Sequence, residues 1–489
     1  MRPQNLLFIF SDQHDPQYMG AAGHRVVRTP NLDRLAAKGT RFTNAATPCA
    51  ICVPARASLA TGRWVHDNRS WDNAIPYTGS MPSWGHRLID RGHRVSALGK
   101  LHYRSDDDDN GFSEKIETMN VVDGVGDRIG WLRRRRFERG AAKNYAGDAG
   151  RGDSSYTEYD RRIAEEAQAW LRKRAAEKTG KPWVLYVGFV MPHLPLIAPA
   201  EFYDMYAGMT LPEPRLYGPS ERPHHPWVDG LTHSIPYDKY FDDERRRVAI
   251  TAYHGMVSYL DHNIGLLLKE LEDTGLGGST RVLYSSDHGE MLGNHGIWGK
   301  CCMYQESVNI PMILAGDGVP EGKTDATEAS LVDCFPTILD AVGVPLADED
   351  RRVLPGRSLF DLAKKPDPDR YGFSEYHAVG AVSGAFMVRR GRWKYVHYVG
   401  MPPQLFDLAA DPIEARDLGQ DPAHAAVRAE MEAALRRIVD PEAAAALAFA
   451  DQEALIARHG GAEAVLAVGD FGHTPTPYEK PHFEKSLEG

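Results

Sequence analysis

Short apolar runs alternate with amphipathic stretches along the first two-thirds of the chain. Residues 5–10 (NLLFIF) form a continuous apolar run, the texture of a strand covered on both faces. Residues 93–98, 183–190, 281–285 and 310–314 share it and predict further strands. Helical patterns lie between them. One covers 31–38, entered through Thr29 and Pro30 and ended by Gly39; another covers 158–177, with Ala164, Ala167 and Leu171 on one face; a third covers about 242–273. Residues 333–342 predict one more helix, with Pro336 either in its first turn or at a kink. This alternation predicts an α/β fold whose mainly parallel sheet is sandwiched by helices.

The texture changes near residue 370. Residues 385–389, 393–398 and 404–408 are strand-like, with turns at Gly391 and at Pro402 and Pro403, and predict a small antiparallel sheet. An Ala/Glu/Arg-rich helix is expected over 422–438. The expected organisation is a catalytic domain over 1–369, a small α+β subdomain over 370–440, and a tail over 441–489. That tail is Ala-rich and then Gly/Pro-rich near 470–477. It is too irregular to predict an independent domain and reads as an arm packing on this chain or on a neighbour in a homo-oligomer.

Composition narrows the class. Hydrophobic content of 42% with 25% charged residues suits a globular enzyme of 489 residues. The early apolar run at 6–10 is too short for a membrane span or a signal-peptide core. Five cysteines, two of them adjacent at 301 and 302, do not suggest a disulfide framework, so a reducing cytoplasm is expected. A net charge of −10 argues against a nucleic-acid partner. It also requires that an anionic substrate be held by a local cationic site.

Chemistry-bearing residues gather where the predicted strands end, the position at which open α/β sheets build their sites. These ends carry Asp12, Gln13 and His14; Lys100 and His102; His193; and Asp287, His288 and Glu290. Any one group could be loop solvation or a helix cap, as aspartate often is. Together, Asp12, Asp287 and His288 offer hard oxygen and imidazole ligands, with Gln13 as a carbonyl donor. Two carboxylates in an apolar strand-end pocket repel unless a cation lies between them. The absence of thiolates from this set points to calcium, magnesium or manganese, and the histidine favours manganese. Cys49 and Cys52 also make a C-x-x-C pair, but the thioredoxin-like context of a redox motif is missing. Pro54 suits a first helical turn, which places residue 52 at a helix start and Arg56 one turn inside.

The run CVPAR at 52–56, followed by Thr61, Gly62 and Arg63, resembles the type I sulfatase motif C-x-P-[SA]-R with T-G-[RK]. The resemblance extends from Asn5 to the strands near 394 and 405. It implies an alkaline-phosphatase-like fold and conversion of Cys52 to formylglycine by a formylglycine-generating or sulfatase-maturing enzyme. It further implies a formylglycine hydrate as nucleophile at one divalent metal ion, calcium or manganese before magnesium, and a covalent sulfo-enzyme intermediate. The carried-over catalytic residues are Cys52, Arg56, Lys100, His102, His193 and Lys300. Asn73, Lys100, His193 and Lys300 would contact the ester, and Asp12, Gln13, Cys52, Asp287 and His288 would hold the metal. Asn73 is equally readable as an Asx-turn.

Two departures place the chain within that family. Many type I sulfatases carry paired Asp residues and Asp-Asn where this chain has Asp12-Gln13 and Asp287-His288. That pattern is similar to phosphonate monoester hydrolases and choline sulfatases. Lys100 and His102, in contrast, match a sulfatase G-K-x-H stretch that phosphonate monoester hydrolases lack. The expected activity is hydrolysis of a small-molecule sulfate ester, arylsulfatase-like and promiscuous toward phosphonate or phosphate esters. A phosphonate monoester or phosphodiester hydrolase and a choline sulfatase are the alternatives. A non-catalytic metal- and anion-binding protein is the reading outside enzymes.

Overall fold

Eight strands form the central sheet of the computed structural model, which describes residues 2–133, 135, 137–177 and 180–488. They are β1 (Asn5–Ser11), β2 (Gly39–Ala46), β3 (Val95–Lys100), β4 (Glu114–Met119), β5 (Val184–Gly188), β6 (Thr280–Ser286), β7 (Met312–Ala315) and β8 (Lys323–Ser330). Their order is β8-β2-β7-β6-β1-β5-β3-β4, and β7 alone runs against its neighbours. The side-chain period of two explains the apolar run of β1. Leu6, Phe8 and Phe10 enter one core, with helices α2 (Cys52–Thr61) and α5 (Cys334–Val342). Leu7 and Ile9 enter the other, with α1 (Pro30–Ala37), α3 (Ser155–Ala176) and α4 (Asp243–Asp273).

The predicted strands and helices are present within a few residues, and Pro336 sits in the first turn of α5. Strands β2, β4 and β8 were not predicted. β4 and β8 lie at the two edges of the sheet and carry polar residues, as in EKIETM and KTDATEAS, so neither shows a continuous apolar run.

The second sheet is antiparallel in chain order: β9 (Gly372–Tyr376), β10 (Ala385–Arg390), β11 (Trp393–Tyr398) and β12 (Gln404–Asp407). β9 is an addition to the predicted set. Phe386, Val388, Tyr395 and Leu405 pack on Met431 and Leu435 of helix α6 (Ala425–Ile438). Met387, Val396 and Phe406 belong to a core that also holds Ala50 and Ile51, just before α2. The small sheet therefore backs the segment that presents residue 52.

The tail holds more regular structure than its composition suggests. Helix α7 (Pro441–Arg458) follows an Asp440 N-cap, and α8 (Ala462–Val468) follows it. Half of the buried stripe of α7 is Ala444, Ala445 and Ala448, and Gln452 is polar, so its periodicity is faint to an apolar-pattern reading. Beyond α8 the chain turns back on itself, closed by paired backbone hydrogen bonds between Asp470 and Glu484 at 2.8 and 2.7 Å.

Arg389 of β10 and Glu328 of β8 join the two sheets. Their guanidinium and carboxylate make three contacts of 2.9–3.1 Å, both side chains being buried. Removing one member strands a charge in the interior, whereas removing both does not. Arg389→Met should lower unfolding free energy by about 3–5 kcal/mol in a urea titration, and adding Glu328→Leu should recover most of the loss.

Candidate active site

β1 and β6 are adjacent parallel strands with Ser11 opposite Ser286, so the residues after each strand emerge side by side. Asp12 and Gln13 leave β1; Asp287 and His288 leave β6. Two strands along on the other side of β1, β3 ends in Lys100. Gly99 permits this end: its φ is +83°, and a Cβ there would lie 2.2 Å from the Gly188 carbonyl oxygen of β5. The β3–β4 register slips between Leu98 and Lys100, a bulge at the point where the lysine enters the site. His102 follows with φ +61°, a left-handed conformation that a non-glycine residue adopts only when its surroundings impose it. The β5 end continues to His193. Helix α2 begins at Cys52 and points its amino end at the same place.

A carboxylate oxygen from each of Asp12 and Asp287, Nε2 of His288 and Sγ of Cys52 all lie within 4.8 Å of one another, and all four residues are buried. Sγ is 3.2 Å from His288 Nε2 and 3.7 Å from Asp12 Oδ1. His288 Nδ1 lies 3.0 Å from the Gly289 carbonyl oxygen and must donate to it. Burial holds the ring neutral, so the Nε2 lone pair faces the cluster. Two hard carboxylates and a free imidazole lone pair suit a divalent cation. Gln13, at the same strand end, is engaged by two neighbours. Its Oε1 accepts from Lys300 and its Nε2 donates to Glu290.

Arg56 ties the two carboxylates together. Nε donates to Asp287 Oδ2 at 2.9 Å, Nη2 to Asp12 Oδ2 at 3.1 Å, and Nη1 to the Lys100 carbonyl oxygen at 2.8 Å. Lys100 Nζ is 2.7 Å from Asp12 Oδ2. Burial would raise the Asp12 carboxyl, but Lys100, His193 and Arg56 outweigh it and hold the group well below the usual carboxylate range. Lys300 Nζ contacts His193 Nε2 at 2.9 Å, while His193 Nδ1 is bonded to the Leu194 carbonyl oxygen at 2.7 Å. Burial opposes the charge of Lys300, yet the facing Asp12 and Asp287 carboxylates favour its protonated form. Burial, then Lys100, pushes His102 well below the ordinary histidine range.

Cys52, Asn73, Lys100, His102, His193 and Lys300 line one cavity of about 80 Å³. That is room for a group the size of several waters, since one water needs on the order of 10–15 Å³ by this measure. An adjoining cavity of about 160 Å³ shares Tyr237 and Lys300 with it. Two contributors were not predicted. Glu290, although it lies in the same run as Asp287 and His288, was assigned no role. Its carboxylate is buried and accepts from Leu292 N (2.6 Å), Gly299 N (2.7 Å) and the Tyr145 hydroxyl (2.8 Å), bracing the loop that carries Lys300. Residues Phe471 to Thr474 form a cavity wall, and Thr474 bonds His102. No motif announces them.

The cysteine alternatives weaken here. Burial first, then the Asp12 carboxylate, pushes the Cys52 thiol up to about 12, and Cys49 is raised in the same direction. A redox or nucleophilic thiol needs the opposite.

The Sulfatase family model matches residues 4–344. The chain belongs to the sulfatase family. A second model, N-sulphoglucosamine sulphohydrolase C-terminal, matches residues 293–440. The choline-sulfatase of Rhizobium meliloti is 31% identical over 434 residues, 86% of this chain and 83% of that one. Human arylsulfatase K is 28% identical, over 84% of this chain and 78% of its own. A phosphonate monoester hydrolase from Silicibacter pomeroyi superposes with a TM-score of 0.71 at 23% identity, covering 99% of both chains. The sulfatase is thus of type I, in the alkaline phosphatase superfamily, and membership supports sulfuric ester hydrolysis as its general activity. Among the described residues no helix is long and apolar enough to cross a membrane.

The local Asx-turn falls at Asp72, whose Oδ1 accepts from Ala74 N, and Asn73 instead reaches across to α2. Its Oδ1 accepts from Val53 N at 3.0 Å, capping α2, while the residue also lines the cavity. Asn73→Ala should cost about 1 kcal/mol of stability through the lost cap. Asn73→Asp keeps the acceptor and should unfold like the parent, but it removes the amide donors and should lose turnover.

Proposed function

We propose that this sulfatase hydrolyses sulfate monoesters of the arylsulfatase type, with residue 52 acting as formylglycine. The observation that carries this reading is the convergence of Lys100 and Lys300 on the cavity over residue 52, beside the Asp12, Asp287 and His288 donors, with Arg56 bridging the two carboxylates. In the maturation step the Cys52 side chain loses its sulfur and two hydrogens and gains one oxygen, which requires an external oxidant and a maturing enzyme. Water then adds to the aldehyde to give two hydroxyls on one carbon.

One hydroxyl oxygen, having given its proton to water, attacks the sulfur of the bound ester as the bond to the alcohol oxygen breaks, and that oxygen takes a proton from water as it leaves. Lys100 donates to a sulfuryl oxygen, and the guanidinium of Arg56 holds residue 52's helix and both carboxylates in register. Lys300 keeps its proton and donates to the departing oxygen, with His193 Nε2 holding the ammonium in place. His102, neutral through burial, then takes the proton of the second hydroxyl. The aldehyde re-forms as the bond to the sulfate oxygen breaks, and sulfate leaves. A divalent cation held by Asp12, Asp287, His288 and residue 52 would supply positive charge to the reacting oxygens. In this reading Gln13 serves Lys300 rather than the metal.

The choline sulfatase alternative draws on the Rhizobium meliloti relative and on Tyr237 and Phe471 in the cavity wall. Against it, Arg139 lines the same cavity and occupies the Asp127 carboxylate at 2.6 Å, putting a cation where a quaternary ammonium needs an anion. The phosphonate alternative draws on the Asp12-Gln13 and Asp287-His288 pairs, but not on Lys100 and His102.

Specific activities of one fully matured, metal-loaded preparation on an aryl sulfate, an aryl phosphonate monoester and choline O-sulfate separate these readings. The aryl sulfate should be fastest, and Lys100→Ala should lower its kcat by about 10²–10³-fold. A phosphonate ester turned over faster than the sulfate would reverse the assignment. Cys52→Ala should be inactive, whereas Cys52→Ser, with a single hydroxyl, should be sulfated once and then fail to release sulfate.

A further inference from the structure

The last segment of the chain reaches into the active site. The matched family segments end at residues 344 and 440, so Asp470 to Thr476 lie outside both. This segment is nonetheless built in. Asp470 is fully buried, pairs with Glu484 along the backbone, and accepts from Ala141 N at 3.1 Å. Thr476 bonds Glu479 at 3.0 Å. The buried hydroxyl of Tyr156, on α3, donates to the Thr474 carbonyl oxygen, and its ring meets His473 edge-on at 5.1 Å. Thr474 is itself 8% exposed, with Oγ1 at 2.8 Å from His102 Nε2.

His102 has two ring nitrogens and, among the described residues, one hydrogen-bond partner. Nδ1 is buried and bonds nothing, and the ring lines the cavity over residue 52. With the ring neutral, a proton on Nε2 donated to Thr474 leaves the Nδ1 lone pair free.

We propose that Thr474 is a positioning residue for His102: its hydroxyl accepts from Nε2–H and fixes the ring's orientation, so that Nδ1 is the base that releases sulfate. This rests on the formylglycine reading. The second hydroxyl of residue 52 loses its proton to Nδ1 as the carbonyl forms, and the electron pair of the breaking carbon–oxygen bond leaves with sulfate. The imidazolium is held through its Nε2–H by the Thr474 oxygen. The relation of base to orienting group follows the logic of catalytic triads, with a neutral hydroxyl as the third member. Activity would then depend on a segment beyond both matched family regions, which acts within its own chain.

The test compares Thr474→Val and Thr474→Ser in the matured enzyme, each also in a His102→Ala background, with thermal unfolding as a check on folding. Thr474→Val should lower kcat by about 10- to 100-fold with KM changed little, as a misplaced catalytic group does. Thr474→Ser should restore most of the rate, and in the His102→Ala background Thr474→Val should have no further effect. Should Thr474→Val be unstable, Thr474→Ala makes the same comparison without adding apolar volume. Parent-like kcat in Thr474→Val, with His102→Ala impaired, overturns the proposal and leaves the formylglycine reading standing. An equal loss in both backgrounds also overturns it. A His102→Ala enzyme as fast as the parent removes both the proposal and the role of His102.

Discussion

One guanidinium bridging two buried carboxylates holds this active site together. Asp12 and Asp287 emerge from adjacent parallel strands, where their charges would repel in a dry environment. Arg56 donates to both, and to the Lys100 carbonyl oxygen. Because Arg56 lies one turn into α2, those bonds set the height and rotation of that helix against the sheet. Residue 52 is brought to the carboxylates by the same contact. A lysine could not serve, since a single ammonium lacks the planar fork that reaches three acceptors at once.

The rest of the site is arranged around that constraint. An overall negative chain sets Lys100 and Lys300 on one small cavity, with Arg56 bridging the carboxylates beside it, so local charge would hold an anionic ester against the global field. Burial does the remaining tuning. It keeps the histidines neutral, available as ligand or base, and it keeps the unmodified thiol protonated. A cysteine so placed is a poor nucleophile, which is why oxidation to a hydrated aldehyde suits the position.

Much of this was legible in the chain, and the parts that were not share a cause. The apolar strands β1, β5 and β6 announce themselves because both faces are covered. The residues at their ends follow from sheet geometry, and the sulfatase motif at 52–56 joins them. Edge strands β4 and β8 escape such a reading because solvent on one side dilutes the pattern. Helix α7 escapes it because alanine fills half of its buried stripe. The Gln13 amide spans Lys300 and Glu290, contacts across 287 and 277 residues of sequence that no local pattern encodes. Thr474 is the extreme case. Its link to His102 spans 372 residues and depends on the tail folding back.

The central claim is that the group at position 52 is an aldehyde hydrate and not a thiol. Mass spectrometry of the tryptic peptide covering residues 42–56, taken from catalytically active protein, tests it directly. Conversion of CH₂SH to CHO lowers the peptide mass by about 18 Da, and fragmentation should assign the change to Cys52 and not Cys49. An active preparation whose Cys52 carries an intact thiol would contradict the account.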